Sequence, residues 1–203
     1  MKDNDIILSI NKWNELVNKK DEKSAAMISG FFENCGNCFS YVLDKNSENT
    51  KVLHAYPGIF EDKLYYFVIP AKYDNANFTG SFHKYTTVCP VYYNLESNRI
   101  PESEAKARIK NWDHNYKTWI PSQVISEVGM FRVFTIDTID FEFEKSLVNF
   151  GLVLDKLGKL DRADLIVTNL DDSQVVYDDY SVPVPPYGPA AAETNFYLLN
   201  PVL

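Results

Sequence analysis

The sequence lacks most of the features from which chemistry is read directly. Three cysteines in 203 residues cannot all pair within one chain, which excludes the dense disulfide framework of a small secreted scaffold. Eight glycines without a fixed period exclude a collagen-like repeat. No apolar run approaches the roughly 18 residues needed to cross a bilayer. Residues 1–14 show neither a long apolar stretch nor a small-residue cleavage site, so a cytoplasmic protein is expected. Basic residues are the minority, 20 against 28 acids for a net charge of -8, the wrong sign for a protein that grips phosphate backbones with Lys and Arg. Neither nucleic acid nor a membrane is expected as a partner. G-x-S-x-G, H-E-x-x-H, a Walker loop and an EF-hand loop are all missing, which removes the usual sequence support for hydrolase, zinc-protease, nucleotide-hydrolysing and calcium-sensing chemistry.

What is present is apolar material: 45% hydrophobic residues and 14% aromatic ones, enough for a sizeable core without staples. Ile10, Trp13, Leu16 and Val17 recur at helical spacing, and residues 25–28 begin a second helix after a polar break at 18–22. Strand-like composition follows at 39–43, 51–56, 64–69 and 82–91, with reversals expected at 46–49 and at Pro57-Gly58 and a longer loop at 70–80. Ala105, Ile109, Trp112, Tyr116 and Trp119 mark the clearest helix. On its polar face, Glu102 with Lys106 and Glu104 with Arg108 have the favourable i,i+4 order, and Pro121 is expected to start a new segment. Residues 130–136 and 140–144 read as strands. Leu147, Phe150, Leu154 and Leu157 form a helical stripe ending near Gly158, and 165–170 reads as a strand. The expected fold is one α+β domain over 1–203, a mixed or antiparallel sheet packed against several helices. A strand–helix–strand unit is the candidate arrangement of the C-terminal half, and a Pro-rich segment lies at 181–190.

Candidate chemistry is sparse. Cys35-Gly36-Asn37-Cys38 has the spacing of a redox pair, but Phe39 to Leu43 reads as a strand where thiolate stabilisation wants a helix N-terminus. Thiol–disulfide exchange at Cys35 and Cys38 is therefore the alternative function. The same thiols with His54, His83 or Cys89 are the weak alternative for a metal, His83 and Cys89 falling on one face if residues 82–91 are a regular strand. No cofactor is expected. Asp137 with Asp140, Glu142 with Glu144, and His114 read better as solvated surface than as acid–base groups.

The favoured function is a noncatalytic binding or interaction module. Residues 161–203 carry seven acids against one base, Arg162, and the rest of the chain is close to charge balance. Its provisional site is Tyr66, Tyr92, Asp171, Asp172, Tyr177, Asp178, Asp179 and Tyr187. The tyrosines would supply contact area and hydrogen bonds, and the acids would steer a protein or peptide partner of basic character.

Overall fold

The computed structural model describes residues 1–43, 47, 50–93, 103–138, 141, 145–154, 161–170, 175–178, 181–184 and 196–199. The fold is α+β, with two antiparallel sheets and three long helices among these residues. Helices α1 (Asp3–Lys19) and α2 (Glu22–Cys35) come first. They are separated at the polar break read from the sequence. Lys20 turns left-handed at φ 51 to end α1, and the Asp21 carboxylate accepts the Ser24 N–H at 2.7 Å to cap α2.

Strands β1 (Cys38–Val42), β2 (Val52–Phe60), β3 (Lys63–Pro70) and β4 (Thr87–Pro90) follow. Then come α3 (Ser103–Ile125), β5 (Val133–Asp137), β6 (Lys145–Val153), β7 (Arg162–Leu170), β8 (Val175–Asp178) and β9 (Ser181–Val184). One sheet has the order β1-β6-β7-β8 and the other β4-β3-β2-β5-β9, so both draw strands from both halves of the chain.

The sheets bury their facing sides against each other. Phe39 of β1 stacks on Tyr66 of β3 with ring centroids 4.6 Å apart, and Tyr66 meets Phe150 of β6 at 5.5 Å. Phe32 of α2 and Trp112 of α3 close on Phe150 at 5.2 Å each. The outer face of the five-stranded sheet, carrying Tyr56, Phe67 and Ile69, is covered by Ile6, Ile7 and Ile10 of α1. On the other sheet, Ala105 and Ile109 of α3 pack on Ile166 and Tyr177. Arg108 bridges Glu104 and the buried Asp164 at 2.6 and 2.8 Å.

Four local expectations are corrected. Pro57 and Gly58 lie inside β2 instead of forming a reversal. Pairing of β2 with β5 ends at Ala55, so Pro57 has a strand neighbour on one side only, a setting proline tolerates. Gly58 is where α1 crosses: a Cβ there would stand 2.5 Å from the Phe67 ring and 3.0 Å from the Ser9 carbonyl carbon. The reversal is the two-residue turn Glu61-Asp62, both at positive φ (46 and 58) as the twist of a tight hairpin requires. Pro121 lies within α3, which runs on to Ile125 because Ile120 and Val124 are buried and Trp119 Nε1 donates to the Asp161 carbonyl at 2.5 Å.

The helical stripe from Leu147 is a strand. Ser146, Val148, Phe150 and Leu152 alternate inward, and β6 is paired on both sides, by β1 and β7. The strand–helix–strand unit therefore gives way to an antiparallel pair, with β5 in the other sheet; Leu157 and Gly158 lie outside the described residues. Residues 82–91 are not one strand either: Phe82–Lys84 is a 3-10 turn preceding β4. The segment at 181–190 begins as edge strand β9, with Pro183 opposite Phe134, and its remainder is outside the described residues, as are 46, 48–49, 139–140 and 142–144.

The corner where α2 turns into β1 has little tolerance. Gly36 sits at φ 137, and a Cβ there would lie 2.0 Å from the carbonyl carbon of Tyr92, whose oxygen accepts the N–H groups of Asn37 and Cys38. Gly36→Ala should lower unfolding free energy by about 3 kcal/mol, through strain and loss of these bonds. Gly30→Ala, in open space within α2, should raise it by roughly 0.5–1 kcal/mol. Chemical denaturation of the two variants beside the parent checks the pair of opposite signs.

Candidate functional site

Of the sequence-derived site residues, Tyr66, Tyr92, Tyr177 and Asp178 fall within the described residues. Tyr66 is wholly buried between the sheets, with its hydroxyl unpartnered among the described residues, and cannot meet a partner. Burial alone pushes its pKa well above the usual value. Tyr177 is buried beneath α3, so it too is removed from a recognition surface. Tyr92 is 38% exposed, its hydroxyl bonded to Ser40. Asp178 lies in β8, while Asp171, Asp172, Asp179 and Tyr187 fall outside the described residues. Two other acids of the C-terminal region are structural. Asp164 accepts from Arg108 and from the Ser181 hydroxyl at 2.9 Å, and Asp161 accepts from Asn111 Nδ2 at 3.0 Å.

The cysteines are free thiols. Cys38 is buried at the start of β1 and donates to the Tyr92 carbonyl at 3.3 Å, whereas Cys35 Sγ accepts the Leu64 N–H at 3.3 Å. Cys38 thus begins a strand and not a helix. Cys89 is buried, and burial pushes its thiol from 9.0 up to about 12. Among the described residues no three His, Cys, Asp or Glu side chains gather as metal ligands. His54 and His83 are each bound to an aspartate instead, and His83 and Cys89 share no strand. No helix among the described residues is long and apolar enough to cross a membrane.

A concavity forms elsewhere, on the outer side of the five-stranded sheet. The first turn of α1 supplies Asp3, Asn4 and Ile7. The segment after β3 supplies Tyr73, Phe78, Gly80 and Phe82, and the 3-10 turn Tyr197–Leu199 supplies Tyr197. These residues border a concavity of about 240 Å³ that is open to solvent. Segment 71–86, read from the sequence as a longer loop at 70–80 followed by the start of a strand at 82–91, is folded on its own rings. Tyr73 stacks on Tyr85 at 3.8 Å, and Phe78 meets Tyr73 and Tyr85 edge-on at 5.3 and 5.5 Å. The Lys72 ammonium lies 5.0 Å from the centre of the Tyr73 ring. His83 fastens the segment to α1, because its backbone N–H and Nδ1 both donate to Asp3 Oδ1, at 2.7 and 2.6 Å. Among the described lining residues Asp3 is the only charged one.

Next in the chain to the pocket residues Tyr73 and Tyr197 lies a buried polar cluster. The Asp74 side chain has no exposure. Its Oδ2 accepts from His54 Nδ1 at 2.6 Å and from the Tyr56 hydroxyl, and its Oδ1 accepts the Leu198 N–H at 3.0 Å. The carboxylate as acceptor puts the proton of His54 on Nδ1. Phe196 covers the His54 ring at 4.5 Å. Burial and the neighbouring Asp74 push the Tyr56 phenol well above its usual pKa.

No family model, no curated protein and no solved structure matches the chain. Function is therefore argued from this geometry. Sequence reasoning passed over Asp3, Tyr73, Phe78 and Tyr197. The available signal was the four rings at 73, 78, 82 and 85, an aromatic density that a solvated loop has no use for.

The burial of the thiols has a direct readout. At pH 8 a thiol-reactive probe should modify Cys35 in the native protein and reach Cys38 and Cys89 only on unfolding. Because Cys89, Tyr56 and Tyr66 hold their protons to higher pH folded than unfolded, their contribution to stability is complete below about pH 9. It should be lost as pH rises from there through 12, which denaturant midpoints measured across that range would reveal.

Proposed function

We propose that the protein is a binding module for a basic protein or peptide, and that its recognition site is the pocket bounded by α1, segment 71–86 and Tyr197. The ligand group is an ammonium on a short apolar stem, as in a lysine side chain. The observation that carries this reading is a ring-walled concavity in which Asp3 is the one charged residue among the described lining. Both His83 donors go to Asp3 Oδ1, which leaves Oδ2 to accept from an ammonium while the stem packs on Tyr73, Phe78, Phe82 and Tyr197. The positive end of α1 opposes a cation here with about half a charge, and the full charge of Asp3 outweighs it. The volume of about 240 Å³ suits one side chain instead of a folded surface, so the acids near the C-terminus would contribute to encounter and not to the seat itself.

Titration with n-butylammonium, followed by two-dimensional NMR, tests the reading. Shifts confined to Asp3, Tyr73, Phe78 and Tyr197 are expected, with n-pentanol binding at least about fivefold more weakly. Asp3→Asn keeps an acceptor for His83 and should weaken the cation about tenfold, a loss of roughly 1.4 kcal/mol. Absence of shifts at these residues, or equal binding of the alcohol, would overturn the assignment.

A further inference from the structure

The pocket and the buried carboxylate meet at one hydrogen bond. Asp74 Oδ1 accepts the Leu198 N–H, and the residues directly preceding these two, Tyr73 and Tyr197, are both pocket walls. From this juxtaposition we infer that Asp74 is the positioning residue of the pocket: docking of residues 196–199 on its carboxylate assembles the site, and ligand binding and docking are one coupled equilibrium. The inference rests on the pocket being the binding site.

Residues 196–199 are held against the body of the protein by apolar burial and by the Leu198–Asp74 hydrogen bond. Leu198 and Leu199 are buried in the cluster with Ile6, Ile7 and Ile10 of α1, and Phe196 lies on His54 and Tyr56. The Leu198 N–H is the backbone's polar link to Asp74. A carboxylate without water needs its donors, and each donor withdrawn leaves a buried charge less compensated. Removing the carboxylate has the converse effect, leaving His54 Nδ1, the Tyr56 hydroxyl and the Leu198 N–H without their acceptor. The carboxylate and the segment thus hold each other in place. Tyr197 is exposed enough to line the pocket and lies between the buried Phe196 and Leu198.

Coupling of this kind is reciprocal: whatever docking contributes to ligand affinity, ligand returns to docking. A ligand touching Tyr197 therefore slows opening of the Leu198 hydrogen bond. Asp74 has no exposure and does not line the pocket, so its influence on affinity runs through the walls it joins, Tyr197 and the adjacent Tyr73.

Hydrogen exchange and binding on the full-length protein test this. In the parent, saturating n-butylammonium should slow exchange of the Leu198 amide at least about threefold while amides of β6 and β7 stay unchanged. Asp74→Ala should speed Leu198 exchange, weaken n-butylammonium at least about tenfold and abolish the ligand-free NOE contacts between Tyr197 and Ile7. Asp74→Asn, which retains an oxygen for the Leu198 N–H, should recover most of these NOE contacts and part of the affinity; it also serves if the alanine variant fails to fold. Tyr197→Ala should weaken binding and leave ligand-free Leu198 exchange as in the parent. If the parent does not bind n-butylammonium, the ammonium reading fails, and the ligand-free NOE contacts still decide whether Asp74 places the wall. Asp74→Ala with these contacts and the affinity intact, or a Leu198 amide indifferent to bound ligand, would overturn the coupling.

Discussion

The ring of Phe150 is the point on which the packing converges. Phe32 from α2, Phe39 from β1, Tyr66 from β3 and Trp112 from α3 all meet it, at 5.2, 6.4, 5.5 and 5.2 Å between centroids. Rings of this size bury large apolar areas and prefer edge-on or offset contact, so their mutual geometry restricts how the sheets and helices approach one another. Each sheet has one face committed to this layer. The other face must be covered by something else, and the covering elements are where the two sides of the molecule differ.

Over the four-stranded sheet the cover is α3. Arg108 reaches the buried Asp164, and Gly151 leaves room for the helix: a Cβ at 151 would lie 3.4 Å from Arg108 Cβ. Over the five-stranded sheet α1 covers the part near Tyr56 and Phe67, and the chain's segment 196–199 supplies further cover. There the polar demand is met by Asp74, which satisfies donors from a strand histidine, a strand tyrosine and a distant backbone amide at once. A carboxylate in that position imposes order on everything that bonds to it, since a lost partner is costly where water does not substitute. The pocket forms along the same seam, with walls from the two segments that Asp74 joins and a floor from the first turn of α1.

Much of the strand and helix content was legible because it rests on local periodicity. The break between α1 and α2, the strands at 39–43 and 64–69, and the long helix around Trp112 and Trp119 follow from spacing and capping residues alone. Residues 147–154 were misread because Leu147, Phe150 and Leu154 satisfy a helical period, while Val148, Phe150 and Leu152 satisfy a strand period equally well. Only the ladders to β1 and β7 decide between them. Pro57-Gly58 has the chemistry of a turn, but the glycine there answers the approach of α1, a contact with residues some fifty positions earlier. The candidate site was the least legible part. Tyr66 has the residue type of a recognition surface and sits in the core, whereas Asp3 and Tyr197, nearly 200 positions apart, line one pocket.

The sequence by itself determined the class of the molecule: an acidic α+β chain with a large aromatic core, thiols too few for a disulfide framework, and the polar break between its first two helices. These properties depend on composition and on neighbours within a few residues, which the chain carries wherever it folds. Tertiary structure alone decided which tyrosines face inward, that Asp164 joins Glu104 at Arg108, which donors Asp74 satisfies, and where a concavity opens. Those outcomes depend on the register of two sheets and on contacts across more than 100 positions, such as Leu198 to Asp74, for which no local pattern in the sequence provides a sign.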